Sequence, residues 1–200
     1  MTLQGRFVAV AAIILLSFGV NLNSPTAAAA PSNSTTHRLV VSGDFSNLHY
    51  QETVYNQALK YMVLDSPKPY FDIQRAEANN EHSDVLAVGR FANEFASAAS
   101  SHSFRSAWDD TTRAGSGIFS GYRYCGYGNL GGTPANTLDR GCQTHDRCYA
   151  SRGWGKCSCD EDFRKFIASN TSRMSTTEAA QARGAQAYFW AKQRAGKCVR

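Results

Sequence analysis

Cys142-Gln143-Thr144-His145-Asp146-Arg147-Cys148-Tyr149 is the stretch on which the reading of this chain turns. An adjacent histidine and aspartate on a helix point about 100° apart, so they must serve different partners. Asp146 can offer two carboxylate oxygens to a hard cation, while His145, with an ordinary pKa of about 6.5, can take a proton from water at neutral pH. A lone His-Asp pair is usually a surface pair, but this one is bracketed by cysteines. The helix that carries it has a start signal in Asn136, with Asp139 three residues on, where the helix dipole favours a carboxylate. It is expected to run from about Thr137 to Ala150.

Upstream, residues 115–134 are rich in glycine and end in proline, which predicts a shaped loop and not a helix. In Tyr124-Cys125-Gly126-Tyr127-Gly128 the alternate glycines let successive carbonyls turn toward one centre. Calcium takes roughly six to eight such oxygens. Turns and phosphate cradles use the same residues, so the loop alone decides nothing. Downstream, Cys157-Ser158-Cys159-Asp160 opens a second helix marked by Asp160, Phe163, Phe166 and Ile167. A Cys148–Cys159 disulfide would clamp its start to the first helix, where Asp160 would orient the His145 imidazole. Tyr149, one turn beyond His145, would either bond that carboxylate or simply pack. A third helix is announced by the capping box Ser175-Thr176-Thr177-Glu178 and stopped by Gly196. The domain is expected to be mostly α and stapled by disulfides.

All six cysteines (Cys125, Cys142, Cys148, Cys157, Cys159, Cys198) fall in the last 76 of 200 residues. At the other end, Arg6 precedes an apolar run from Phe7 to Val20 followed by Ala27 to Ala30, the pattern of a secretory signal peptide over residues 1–30. The run is too short for a membrane-spanning helix, which needs about 20 residues. An even, clustered cysteine set in an exported chain reads as three disulfides; a zinc knuckle would need a matching second pair. Charge divides the chain too. Residues 31–115 carry 7 Lys/Arg against 10 Asp/Glu, and residues 116–200 carry 13 against 6, giving −3 and +7. The basic half suits an anionic surface, lipid or nucleic acid, or serves solubility alone.

With these motifs in order, the run from Ile118 to Phe163 resembles the secreted phospholipase A2 family. Ile118-Phe119, Gly128-Asn129 and Cys159-Asp160-Glu161-Asp162-Phe163 look most like its bee-venom branch. The resemblance implies a phospholipase A2-like domain over residues 116–200, with two antiparallel active-site helices and a calcium loop. By it, the carbonyls of Tyr124, Gly126 and Gly128 and the carboxylate of Asp146 would hold Ca2+. His145 with Asp160 would be the catalytic dyad, and Tyr149 would belong to the same group. The implied disulfides are Cys125–Cys142, Cys148–Cys159 and Cys157–Cys198. The implied activity is calcium-dependent hydrolysis of the sn-2 ester of glycerophospholipids by a secreted, extracellular enzyme at a phospholipid membrane surface; basic residues such as Arg123, Arg147, Lys156, Arg164 and Lys165 suit an anionic bilayer, and no nucleic acid is expected as partner. A noncatalytic scaffold that keeps calcium or receptor binding is the alternative, but such proteins usually change the histidine or the aspartate, and both stand here.

The departures are specific. Family members usually have two adjacent cysteines before the active-site turn, and Gly141 holds the first position. Its expected partner near Phe166 is not cysteine either, so one bridge is dropped as a pair. The turn from Ala150 to Lys156 leaves no room for the β-hairpin of many relatives.

Residues 31–115 have no cysteine and no motif that carries chemistry, and read as an accessory segment or a propeptide cleaved after Arg113. Val54, Tyr55, Ala58, Leu59 and Met62 fall at helical spacing, as do Val88, Phe91 and Phe95, around the break Ser66-Pro67-Lys68-Pro69. Two short helices about a proline turn are expected. His37, His49, His82 and His102 have no motif and should be solvated. Asn33 and Asn170 open glycosylation sequons.

Overall fold

Four helices start where a short polar side chain takes up the free N–H groups of a first turn. In the computed structural model, the Asn47 side chain accepts from His49 and Tyr50 and opens α1, Leu48–Leu59, and that of Asp72 accepts from Arg75 and opens α2, Ile73–Ala78. Helix α3 spans Ser83–Ala98. Asn136 accepts from the Asp139 N–H and opens α4, Thr137–Arg152. Helix α5 is Cys157–Asn170, and Ser175 opens α6, Thr176–Arg194, which ends before Gly196 at φ 64°. The structure describes residues 41–98, 119, 121–126 and 130–200. The expected signal segment 1–30, Asn33, His37, His102, Arg113, Ile118 and the loop residue Gly128 lie outside them.

The capping box at Ser175 is used differently from the expectation. Ser175 accepts from the Glu178 N–H, but the Glu178 carboxylate accepts from the Leu138 N–H at 2.8 Å. It thereby joins the first turn of α6 to the first turn of α4.

The proline break also differs. Met62 does not continue α1: Met62–Val63 (β1) pairs antiparallel with Tyr70–Phe71 (β2), and the prolines sit in the loop between them. Two-residue strands are weak on their own. Here Asn93 of α3 acts as a third strand, accepting from the Phe71 N–H at 2.7 Å and donating to its carbonyl at 2.9 Å. An additional short helix, α2, follows the hairpin.

Helices α4 and α5 are antiparallel. Going up one and down the other, Gly141 meets Phe163 and Phe166, His145 meets Asp160, and Cys148 is bonded to Cys159. The other disulfides are Cys125–Cys142 and Cys157–Cys198. Beside the last, Cys157 donates to the Val199 carbonyl and Val199 to that of Gly155, so the chain end is tied to the tight turn between α4 and α5.

Helix α6 is central. Ala179, Ala180, Ala182, Ala185, Ala187 and Ala191 are all fully buried, so apolar positions run round the whole helix, as expected of one enclosed by neighbours. It packs on α3 and α1 on one side and on α5 and α4 on the other. At Gly184 the approach to α3 is so close that a Cβ would lie 2.5 Å from the Phe91 Cβ and 2.9 Å from the Ala92 nitrogen and the Val88 oxygen. Phe91 and Phe95 meet Phe119 edge-on, and Phe95 meets Phe189. Arg183, 3% exposed, reaches from α6 to Glu52 on α1 at 3.1 Å. One compact unit runs from Arg38 to Arg200, and among the described residues those of 41–98 supply about half of its buried apolar core. Among the described residues no helix is long and apolar enough to cross a membrane. His49 is exposed, and His82 is largely so, with its Nδ1 at 3.3 Å from the Tyr50 hydroxyl.

Candidate active site

The site starts from a carboxylate that chain order does not single out. Asp139, in the first turn of α4, is fully buried. Its Oδ1 accepts from the N–H groups of Arg123, Tyr124 and Cys125 at 3.0, 2.7 and 3.1 Å, and its Oδ2 from that of Ala135 at 2.8 Å. Charge-assisted bonds from four backbone donors make a rigid bracket. The bracket fixes the first half of the glycine loop against α4, and the Cys125–Cys142 disulfide fixes it again three residues along that helix. Sequence alone assigns Asp139 only to the helix dipole. The signal available is its position one turn after the cap, and nothing there reveals the loop as its partner.

His145 lies on the buried face of α4, 8% exposed. Its Nε2 is 3.0 Å from Asp160 Oδ1, on a carboxylate that is itself fully buried. A carboxylate accepts, so Nε2 carries the proton and Nδ1 is left as the basic nitrogen. Among the described residues Nδ1 has no hydrogen-bond partner. The Tyr149 hydroxyl donates to the same Oδ1. Phe163 stacks on the imidazole at 4.9 Å between centroids, Phe189 meets it edge-on at 4.9 Å, and Tyr149 leans on it at 4.2 Å. Burial lowers the His145 pKa, and the Lys192 charge lowers it further. The hydrogen bond and charge of Asp160 oppose them, and burial prevails. The ring is therefore neutral at neutral pH.

Lys192 of α6 has no motif to mark it. Its Nζ is 2.9 Å from Asp160 Oδ2 and 3.0 Å from the Tyr149 hydroxyl. His145, Asp160 and Tyr149 are therefore brought together as expected, with a lysine added.

One cleft of about 330 Å³ has His145, Asp146, Tyr124 and Gly126 in its lining. Phe95, Phe163, Tyr188, Phe189 and Trp154 make the rest of the wall largely aromatic, and Pro67, Lys68 and Pro69 of the hairpin loop close one side. Asp146 has no hydrogen bond or ion pair among the described residues. Burial, with the Asp139 charge second, pushes its carboxyl up to about 8. Asp146 lines the same cleft as Tyr124 and Gly126 of the glycine loop, and a carboxylate with backbone carbonyls is the donor type a hard cation such as calcium takes. Tyr124 and Gly126 are in place beside it, and Gly128 falls outside the described residues. Among the described residues no group of three or more His, Cys, Asp and Glu side chains could hold a metal.

No family profile matches the chain, and no solved structure does. Curated proteins do match over a short stretch. Acidic phospholipase A2 PL-II of Walterinnesia aegyptia is 69% identical over 26 residues, 13% of this chain and 18% of that protein. Acidic phospholipase A2 S17-58 of Austrelaps superbus is 63% identical over 30 residues, 15% and 19% of the two chains. Phospholipase A2 of Oryctolagus cuniculus is 62% identical over 32 residues, 16% and 22%. The chain thus spans about a fifth of the length of the curated relatives it matches, and over that stretch it is similar to phospholipases A2.

Proposed function

We propose that this protein is a secreted, calcium-dependent phospholipase A2, hydrolysing the sn-2 ester of glycerophospholipids to free fatty acid and lysophospholipid. The observation that carries the reading is one cleft holding both a neutral His145 whose Nδ1 has no partner among the described residues and a carboxylate, Asp146, likewise without one among them, beside the glycine loop.

His145 acts as general base. Nδ1 takes a proton from water, and the oxygen of that water forms the new bond to the ester carbonyl carbon. Asp160 holds Nε2–H throughout and stabilises the imidazolium. The proton on Nδ1 then passes to the leaving alkoxide as its bond to carbon breaks, and the ring returns to neutral. Ca2+, held by Asp146 and the carbonyls of Tyr124, Gly126 and Gly128, would polarise the ester carbonyl and offset its developing negative charge. The aromatic walls suit an acyl chain and exclude water from the base.

At the mouth, Trp154 and Val199 are 38% and 54% exposed, and Lys68 and Lys197 stand exposed beside them. An apolar rim with lysines suits an anionic phospholipid surface. Three disulfides fit an oxidising, extracellular compartment. The test is fatty-acid release from phospholipid vesicles by the full chain, with calcium, with chelator, and with His145→Gln. Release that needs both calcium and His145 supports the reading. Folded protein that binds calcium and releases nothing makes it a binding protein built on the same scaffold.

A further inference from the structure

Asp160 is approached by three groups, and only two of them belong to the helices that carry the motifs. Its Oδ1 is shared by His145 Nε2 and the Tyr149 hydroxyl, whereas Oδ2 faces Lys192 Nζ alone among the described residues. The lysine side chain is 14% exposed and the carboxylate fully buried. A buried carboxylate is costly without a counter-charge, and a neutral imidazole does not provide one. The ammonium is fixed from several sides. It bonds the Tyr149 hydroxyl and lies 5.4 and 5.5 Å from the ring centres of Tyr149 and Phe189, two of the three aromatics that also touch His145.

We propose that Lys192 is a positioning residue for the His145–Asp160 pair: by occupying Asp160 Oδ2 it stops the carboxylate turning and keeps Oδ1 aimed at Nε2. The inference rests on the hydrolase reading for its effect on rate, but not for its effect on the hydrogen bond. Lys192 touches neither the substrate carbonyl nor the attacking water in this scheme.

The experiment uses the full chain with Lys192→Met, Lys192→Arg, Asp160→Asn and the double variant Asp160→Asn/Lys192→Met. Two readouts are taken: kcat and KM for vesicle hydrolysis, and, in the metal-free protein, the downfield proton resonance of His145 Nε2–H. Lys192→Met should lower kcat on the order of 10- to 100-fold, the range seen when the partner that orients a site residue is removed. KM should change little, and the resonance should shift upfield or vanish, while Lys192→Arg restores both. In the Asp160→Asn background the same substitution should cost no more than about twofold, because its effect runs through Asp160. An equal loss in both backgrounds, or an unchanged kcat and resonance in Lys192→Met, overturns the proposal. Should Lys192→Met fail to fold, the double variant decides: recovery of the fold shows that the lysine answers the Asp160 charge, and no recovery makes it a packing residue. If the wild type releases no fatty acid, the functional reading falls and the resonance alone decides the role of Lys192.

Discussion

Asp146 and Asp139 stand on one helix and do opposite things with the same carboxylate. Asp139 is saturated by four backbone donors, while Asp146 has none among the described residues and its carboxyl is pushed up from 3.8 to about 8. Between those two values the folded, metal-free protein keeps a proton that the unfolded chain has already released. Its stability contribution is therefore full below about 3.8 and is lost as pH rises toward about 8. A cation needs the deprotonated form, so the gain in Tm on adding calcium should grow as pH rises through that window. Asp146→Asn should remove both the pH slope and the calcium effect. Calcium titrations followed by thermal unfolding across pH would check this, and a calcium gain independent of pH would sink it. The sequence carries much of this residue-scale detail. The pairing of Gly141 with Phe166 is expected from two absent cysteines, and in the structure a Cβ on Gly141 would lie 2.6 Å from the Phe166 ring, so ring-on-glycine packing stands where a disulfide is dropped. Lys192 is invisible in the sequence for a physical reason. It meets Asp160 from a separate helix, 32 residues away in sequence, and nothing in local periodicity reports which cation a buried acid will find.

The elements themselves are readable wherever a cap or a glycine stop marks an end, as at Asn136, Ser175 and Gly196. They are not readable where a tertiary partner makes them: β2 exists because Asn93 completes its hydrogen bonding, and no two-residue pattern could announce that. The same holds for the closest contact between elements, α3 against α6. An alanine at Gly184 would gain about 1 kcal/mol of helix propensity and face overpacking of about 1–3 kcal/mol. Two of the three atoms it would meet are backbone, which cannot turn aside, so overpacking wins. Gly184→Ala should destabilise the protein by roughly 1–2 kcal/mol and lower Tm by several degrees. Gly141→Ala should cost less, because the three nearest atoms it would meet are side-chain ring atoms, of the half-buried Phe166 at 2.6 and 2.7 Å and of the buried Phe163 at 3.0 Å, and none is backbone. Denaturant unfolding of the two variants would check the order, and equal effects would count against the close-approach argument. Helix α3 also carries Glu94, whose carboxyl is pushed up by burial to about 7 from 4.5. Its stability contribution is full below about 4.5 and is lost as pH rises through about 7. Glu94→Gln should flatten that slope and raise Tm at alkaline pH relative to the wild type, whereas a slope identical to the wild type would assign it elsewhere.

At the scale of the whole molecule, charge and packing make different divisions. Charge separates an acidic stretch of −3 from a basic one of +7, which suggests a detachable mask. Packing joins them: Phe91 and Phe95 of the acidic stretch meet Phe119 and Phe189, Arg183 is buried against Glu52 and Tyr55, and the hairpin loop at Pro67–Pro69 forms a wall of the cleft. Removing α1 and α3 would expose one whole side of α6 and leave Arg183 without its counter-charge. Burying a large aromatic side chain is worth about 1.5–3 kcal/mol, so losing several such contacts is comparable to the roughly 5–15 kcal/mol by which a domain is stable. Residues 114–200 expressed alone should therefore fail to reach a cooperative fold, even with all six cysteines present. A chain cut after Arg113 should instead keep both pieces together through gel filtration and keep its thermal transition. Far-UV circular dichroism with thermal unfolding of the two preparations separates the cases. A cooperative, hydrolytically active 114–200 fragment would restore the propeptide reading, with the acidic segment a removable cover. Retention of both pieces after the cut would make the segment a permanent part of the folded body, with its hairpin loop at Pro67–Pro69 a fixed wall of the cleft.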